Sequence, residues 1–172
     1  MTANELAAAV ADAAGHEMSS ALERMKHCLG QLSEEQVWWR PHPAMNSIGN
    51  LALHLCGNVR QWIVSGCGGE PDTRDRPGEF AERRLLCRAE LEHRLDEAVG
   101  RADTVLAVLT AGQLLEKRRI QGFDTTVLGA LFDSVPHFSG HTQEIVFLTR
   151  LQLGDAYQFQ WVPATPEQGV PS

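Results

Sequence analysis

The chain has 172 residues, 43% of them apolar, and a formal net charge of −7. That is the size and apolar content of one domain with an ordinary core. The acidic balance excludes a phosphate-backbone partner, which needs a concentrated basic surface, and no apolar run approaches the roughly 20 residues that span a bilayer.

The first residues, "MTANELAAAVADAAGHEM", lack a basic start and carry Glu5 and Asp12 within their apolar stretch. They do not read as a secretory signal, so a cytoplasmic location is expected. Cys28, Cys56, Cys67 and Cys87 form no CxxC pair; they read as reduced thiols, with no disulfide frame and no thiolate zinc site.

Helical spacing of Leu6, Val10, Ala13, Ala21, Met25 and Cys28 predicts a first helix from about Asn4 to Leu29. In "LSEEQVWWRPHPAMNS", Ser33 and Gln36 fit a capping box for a short turn, and the prolines keep the rest extended. Ser47 is an N-cap for a second helix, Ile48 to about Ser65, ended by "GCGGE". The stretch 66–80, rich in Gly, Pro and charge, is expected to be an irregular loop, too long for a tight helical hairpin and suited to covering something.

A long third helix is expected from about Gly78 to Leu109, with Phe80, Leu91, Leu95, Val99, Ala102 and Leu106 on its apolar side. "EKRRIQGFDTT" reads as a short extended turn. Thr125 or Thr126 caps a fourth helix that reaches Leu153 and closes at Gly154. Four long helices without a convincing strand pair predict an all-α, four-helix bundle over residues 1–155, followed by a loose tail, 156–172.

His137 and His141 stand four residues apart in the fourth helix, so both imidazoles project from one face and can reach one ion. Asp133 and Glu144 flank the pair within one turn at the edge of the apolar stripe. The bland alternative is a polar surface stripe, since seven histidines produce such a spacing by chance in roughly one sequence in five. His54 is the candidate third ligand. Ser47, Asn50, His54, Asn58 and Gln61 form a stripe of uncharged polar residues on the second helix, unlike the Glu- and Arg-rich solvent stripe of "AERRLLCRAELEHRL". Such a stripe suits a hydrogen-bonding pocket, in which Asn58 is placed to hold the second nitrogen of an imidazole or a water. Pro136 either bends the fourth helix or breaks it ahead of the pair.

"NSIGNLALHLCGNVRQWI", "GGEPDTRDRPGEF" and "HFSGHTQEIVFLTRLQLG", in that order and with "LSEEQVWWRPHPAMNSI" leading into the second helix, resemble the DinB-like superfamily with its YfiT-like proteins. The likeness is to a branch known as a domain of unknown function and spans about residues 5–155. The resemblance implies a four-helix bundle, often dimeric, with a divalent metal (zinc, nickel or iron) on one histidine of the second helix and the HxxxH of the last. These are His54, His137 and His141 here, the trio that spacing also indicates. Characterised relatives include thiol-dependent enzymes, among them mycothiol-dependent maleylpyruvate isomerase and bacillithiol transferases. Where the family often continues HxGQI, this chain has "HTQEI", so Glu144 replaces a glutamine and becomes a candidate acid/base group or fourth ligand.

A doubly charged ion on three neutral imidazoles keeps an open position for a water or a thiol. Two enzymatic readings follow for a small-molecule substrate: transfer of a low-molecular-weight thiol to an electrophile, or hydrolysis with Glu144 or Asp133 accepting the proton. Arg74 and Arg76 are candidates to hold an anionic group, or to form salt bridges across a homodimer contact. The competing class is a non-enzymatic bundle that binds a metal or a partner.

Overall fold

A computed structural model describes residues 1–83 and 86–161. Helix α1 (Ala3–Gly30) begins with a reciprocal capping box in which the Thr2 hydroxyl accepts the Glu5 N–H and the Glu5 carboxylate accepts the Thr2 N–H. It buries Ala7, Ala11, Ala14, Met18, Ala21 and Met25 along one stripe, the 3–4 spacing expected of a core-facing helix. The short α2 (Glu34–Trp38) opens on the anticipated Ser33–Gln36 capping box. Ser47 caps α3 (Ile48–Val59), which continues without a break as a π-helical run, Arg60–Ser65. Wider i→i+5 turns shift the register of the side chains that follow, and here they carry Gln61 and Trp62.

The expected long third helix is two pieces. Helix α4 (Arg76–Ala81) has Asp75 as N-cap and Pro77 in its first turn, and it ends where Glu82 turns extended (φ −60°, ψ 129°). Helix α5 (Arg88–Leu106) then starts afresh. No local capping residue marks that start, because Cys87 makes no side-chain cap bond. The Glu34 carboxylate does the capping from α2, accepting the Arg88 N–H at 3.0 Å. A donor satisfied from 54 residues away leaves no signal in the neighbouring sequence.

After the single turn of α6 (Ala111–Leu114), β1 (Lys117–Ile120) and β2 (Phe123–Thr126) form an antiparallel hairpin pairing Lys117 with Thr126 and Ile120 with Phe123. The expected extended turn is thus a strand pair. Gln121 (φ 53°) and Gly122 (φ 86°) both occupy the left-handed region, the arrangement that matches the twist of two-residue hairpins. Helix α7 (Val127–Leu153), capped by Thr126, runs unbroken through Pro136. Pro136 lies on the exposed side, where the carbonyl that loses its partner is open to water.

Helices α1, α3, α5 and α7 form the bundle: α1 packs on α5 and α7, and α3 packs on the same two from the opposite side. Met18, Met25, Leu51, Leu55, Leu91, Leu95, Phe138 and Ile145 fill the centre. Among the described residues no helix is long and apolar enough to cross a membrane. The start of the expected tail is tied down: the Gln158 carbonyl accepts from His27 Nε2 and Gln31 Nε2, and the Gln31 side chain accepts the Gln158 N–H. Residues 162–172 of that tail lie outside the described residues.

Candidate metal centre

The polar stripe of α3 faces inward. Ser47, Asn50, His54 and Asn58 are all buried, although four such residues on one face are costly to bury unless each finds partners. Those partners come mainly from α4 and α7. The Asn50 amide donates to the Glu79 and Glu82 carbonyls, which docks the end of α4 onto α3, and the Arg40 guanidinium donates to Asn50 Oδ1. The Ser134 hydroxyl of α7 donates to Asn58 Oδ1 at 3.0 Å.

Between these cross-links His54, His137 and His141 meet. His54 Nε2 lies 2.9 Å from His137 Nε2. The three rings stand nearly edge to face, with centroids 5.1, 5.3 and 4.6 Å apart. One nitrogen from each ring falls within 4.8 Å of the other two. Adjustments of about an ångström bring three imidazole nitrogens to the roughly 2.0–2.1 Å of a metal bond.

What fixes the rings is as informative as their spacing. Glu79 Oε2 and Arg74 Nη2 both lie 3.0 Å from His54 Nδ1. The carboxylate can only accept and the guanidinium already donates to Glu79, so Nδ1 carries the proton and Nε2 is the ring's unprotonated nitrogen. Glu144 Oε2 lies 2.8 Å from His141 Nδ1 and does the same for that ring. A carboxylate on the outer nitrogen selects the tautomer and raises the basicity of the inner one, the usual support for a metal-bound imidazole. Glu79 is itself clamped by Arg74, whose Nε and Nη2 donate to Oε1 (2.6 Å) and Oε2 (2.8 Å), while Nη1 donates to Gln61. The Arg74 and Glu79 side chains are 3% and 9% exposed. Burial alone would raise the Glu79 carboxyl, but the hydrogen bonds from Arg74 and His54 outweigh it and hold the group below the usual carboxylate range.

The loop expected to cover something thus covers His54, by way of Arg74 and Glu79. Glu79 is the site residue that sequence reasoning did not single out. Its signal, Asp-Arg-Pro-Gly-Glu with Asp75 as N-cap and Pro77 in the first turn, is that of a short helix. Gly57 is a second such residue, since a Cβ there would collide with the Glu79 carboxylate and touch Arg74. Gly57→Ala is therefore expected to push Glu79 off His54 and to cost about 1–3 kcal/mol, as overpacking does; a denaturant titration beside the wild type measures it.

The remaining candidates are spread around this centre. Asp133 is exposed, one turn before His137. Arg76 lies over the Phe80 ring (5.1 Å), and Phe80 leans on the His54 ring with centroids 4.8 Å apart. A cavity of about 540 Å³ opens beside His137 between α7, the π-helical run and the hairpin. A larger cleft, about 830 Å³, lies behind Glu79 against α5, but much of its charge is paired within it, as in Arg101–Glu70, Arg94–Glu90 and Arg74–Glu79. The cavity beside the histidines is the one that bears on chemistry.

Burial, then the charges of His141, His54, Arg74 and Arg76, push the His137 imidazole down from 6.5 to about 4. With the folded pKa below the unfolded one, the unfolded chain takes up the proton first as pH falls. The stability carried by neutral His137 is then complete above pH 6.5 and lost between 6.5 and about 4. Urea midpoints of metal-stripped protein should decline across that window, and His137→Asn should flatten the decline.

The donor set fits a borderline divalent ion: three neutral nitrogens, two of them oriented by carboxylates, and no thiolate. Comparison with known proteins agrees on the architecture. The fold is similar to that of a conserved protein from Enterococcus faecalis, at 19% identity over 83% of this chain and 96% of the other with a TM-score of 0.64. It is also similar to a DinB-like protein from Bacillus cereus, at 17% identity over 77% of this chain and 85% of the other with a TM-score of 0.61. None of the curated proteins matches. The profile of one family, described as "Protein of unknown function (DUF1572)", matches residues 6–166, and the chain belongs to that family.

Proposed function

We propose that this protein is a divalent-metal-dependent enzyme that activates a nucleophile at His54, His137 and His141 and passes it to an electrophilic small molecule in the adjoining cavity. The supporting observation is the combination of three ligands with that cavity. A purely structural zinc site is closed by four protein ligands, whereas a catalytic one keeps a position open to substrate. The cavity, about 540 Å³, is within the range of small-molecule sites.

When bound, a divalent ion here lowers the pKa of a water or a small thiol in its open position. The chain's own groups do the rest. Glu79 and Glu144 orient two of the ligands, and Arg74 keeps Glu79 ionised. Asp133, which makes no hydrogen bond or ion pair among the described residues, is the carboxylate free to accept the nucleophile's proton. Glu144 is engaged by His141 and suits holding the ring better than proton transfer.

A low-molecular-weight thiol is the preferred nucleophile, on the resemblance to thiol-dependent enzymes, and water is the second. Zinc-reconstituted protein should accelerate both the displacement of chloride from 1-chloro-2,4-dinitrobenzene by a thiol and the hydrolysis of p-nitrophenyl acetate, by unequal factors that identify the nucleophile. Asp133→Asn should lower the faster rate about a hundredfold, as loss of a general base does. Rates that survive both chelation and His54→Ala would contradict the proposal.

A further inference from the structure

The cavity beside His137 also has a chemical character of its own. One wall is aromatic: Trp62, from the π-helical run, and Phe123, from the first position of β2. Phe123 is 64% exposed, and a large apolar side chain left open at the rim of a concave site is suited to an apolar ligand. The hairpin is fixed to this wall because the Trp62 indole N–H donates to Gln121 Oε1 at 3.3 Å.

The opposite side is polar and uneven in sign. Asn58 spends its Oδ1 on Ser134, so its amide N–H groups, which have no partner among the described residues, are donors available on the cavity wall. Asp133 contributes an unpaired carboxylate, and Asp124 lies nearby, bound to Arg119 on the outer face of the hairpin. Among the described residues no Lys or Arg lines the cavity. Arg74 is engaged by Glu79 and Gln61 and Arg76 lies over the Phe80 ring; neither lines the cavity, although both charges are felt at His137.

We infer that this cavity is the substrate subsite of the centre proposed above, and that it takes a neutral, flat, apolar or aromatic carbonyl compound while rejecting anionic ones. The ring lies against Phe123 and Trp62, the carbonyl oxygen accepts from Asn58, and Asp133 repels a carboxylate or phosphate entering the same space. The inference rests on the metal-enzyme reading for the word substrate, but its recognition chemistry stands on the cavity alone, which allows the two to be tested apart.

Benzamide and benzoate have nearly the same shape and differ in charge, so they are the probes. Their affinities are measured by ligand-observed NMR titration, first on metal-stripped protein and then with zinc. On stripped protein benzamide should bind about tenfold more tightly than benzoate, the order expected of one unfavourable charge contact in a partly open site. Asp133→Asn, an exposed substitution compatible with folding, should bring the two within about threefold, chiefly by improving benzoate. Phe123→Ala should weaken benzamide by about threefold or more, as loss of an aromatic contact does. With zinc added, the loss of benzamide affinity in Phe123→Ala should remain, because that contact does not involve the metal. Equal affinities on stripped wild-type protein, no binding of either probe, or a benzamide preference that persists in Asp133→Asn would each overturn the inference. Failure of the metal reading appears elsewhere, as an absence of zinc uptake while the benzamide preference remains.

Discussion

Arg74→Ala should be among the most damaging single substitutions in the chain, lowering stability by about 3–5 kcal/mol, the cost of leaving a buried carboxylate without its partner. Glu79 is almost fully buried, and its two oxygens are held mainly by Arg74. Without the guanidinium, Glu79 either remains as an unpaired buried charge or takes up a proton, and in both cases the group that orders the His54 ring is no longer clamped in place. At roughly 2–4 °C per kcal/mol for a chain of this size, the melting temperature should fall by about 6–20 °C. The double variant Arg74→Met/Glu79→Gln should recover much of that loss, because replacing both members of a buried pair removes the uncompensated charge. The same double variant should bind metal about 10–100-fold more weakly than wild type, as loss of a ligand's supporting carboxylate does. Calorimetric melts of the three proteins, with and without zinc, separate the two effects.

His54→Ala is expected to abolish stoichiometric metal binding while leaving the helices folded. One of three ligands is lost, and two imidazoles on a single helix seldom retain a catalytic ion alone. The affinity loss should exceed about 100-fold, beyond the range for removal of a supporting carboxylate. The wild type at zinc concentrations about 100 times the dissociation constant should gain about 2.7 kcal/mol from binding, or roughly 5–11 °C in melting temperature. In His54→Ala that increment should vanish. Metal analysis of protein purified without a polyhistidine tag provides the stoichiometry, and equal metal in the two proteins would remove the site.

The parts of this molecule that the sequence made legible are those written in local periodicity and local caps. Ser47, Ser33 and Thr126 announce three helices because each satisfies donors two or three residues ahead. His137 and His141 are four apart on one helix, so their shared face needs no tertiary information. His54 joins them because an uncharged polar stripe amid an apolar helix is a poor solvent face, and it is in fact buried. Chain-distant cooperation was not legible. The break between α4 and α5 depends on Glu34 capping Arg88 and on the Trp38 indole N–H donating to the Leu86 carbonyl at 3.0 Å. Both partners are contributed by α2, far away in the chain.

The support for the histidines was illegible for a related reason. Glu79 sits in a segment whose composition reads as a solvated loop, and only the docking of α4 onto α3 through Asn50 carries it inward. Asn58, the anticipated imidazole holder one turn past His54 on α3, bonds Ser134 instead, and the carboxylate that does meet the ring is Glu79 of α4. The hairpin escaped notice because its strands are only four residues each and rich in charge, with a Gln–Gly turn in place of the stronger Asn–Gly signal. Yet this hairpin supplies the outer wall of the cavity beside His137.

X-ray absorption at the metal edge, followed by anomalous diffraction from crystals of zinc-reconstituted, untagged protein, addresses the central claim directly. The account predicts one ion per chain with three nitrogen neighbours at about 2.0–2.1 Å, the anomalous peak lying among Nε2 of His54, His137 and His141, with Glu79 and Glu144 still on the outer nitrogens. An anomalous peak away from these three rings, or a shell built from fewer than three imidazoles, would contradict it.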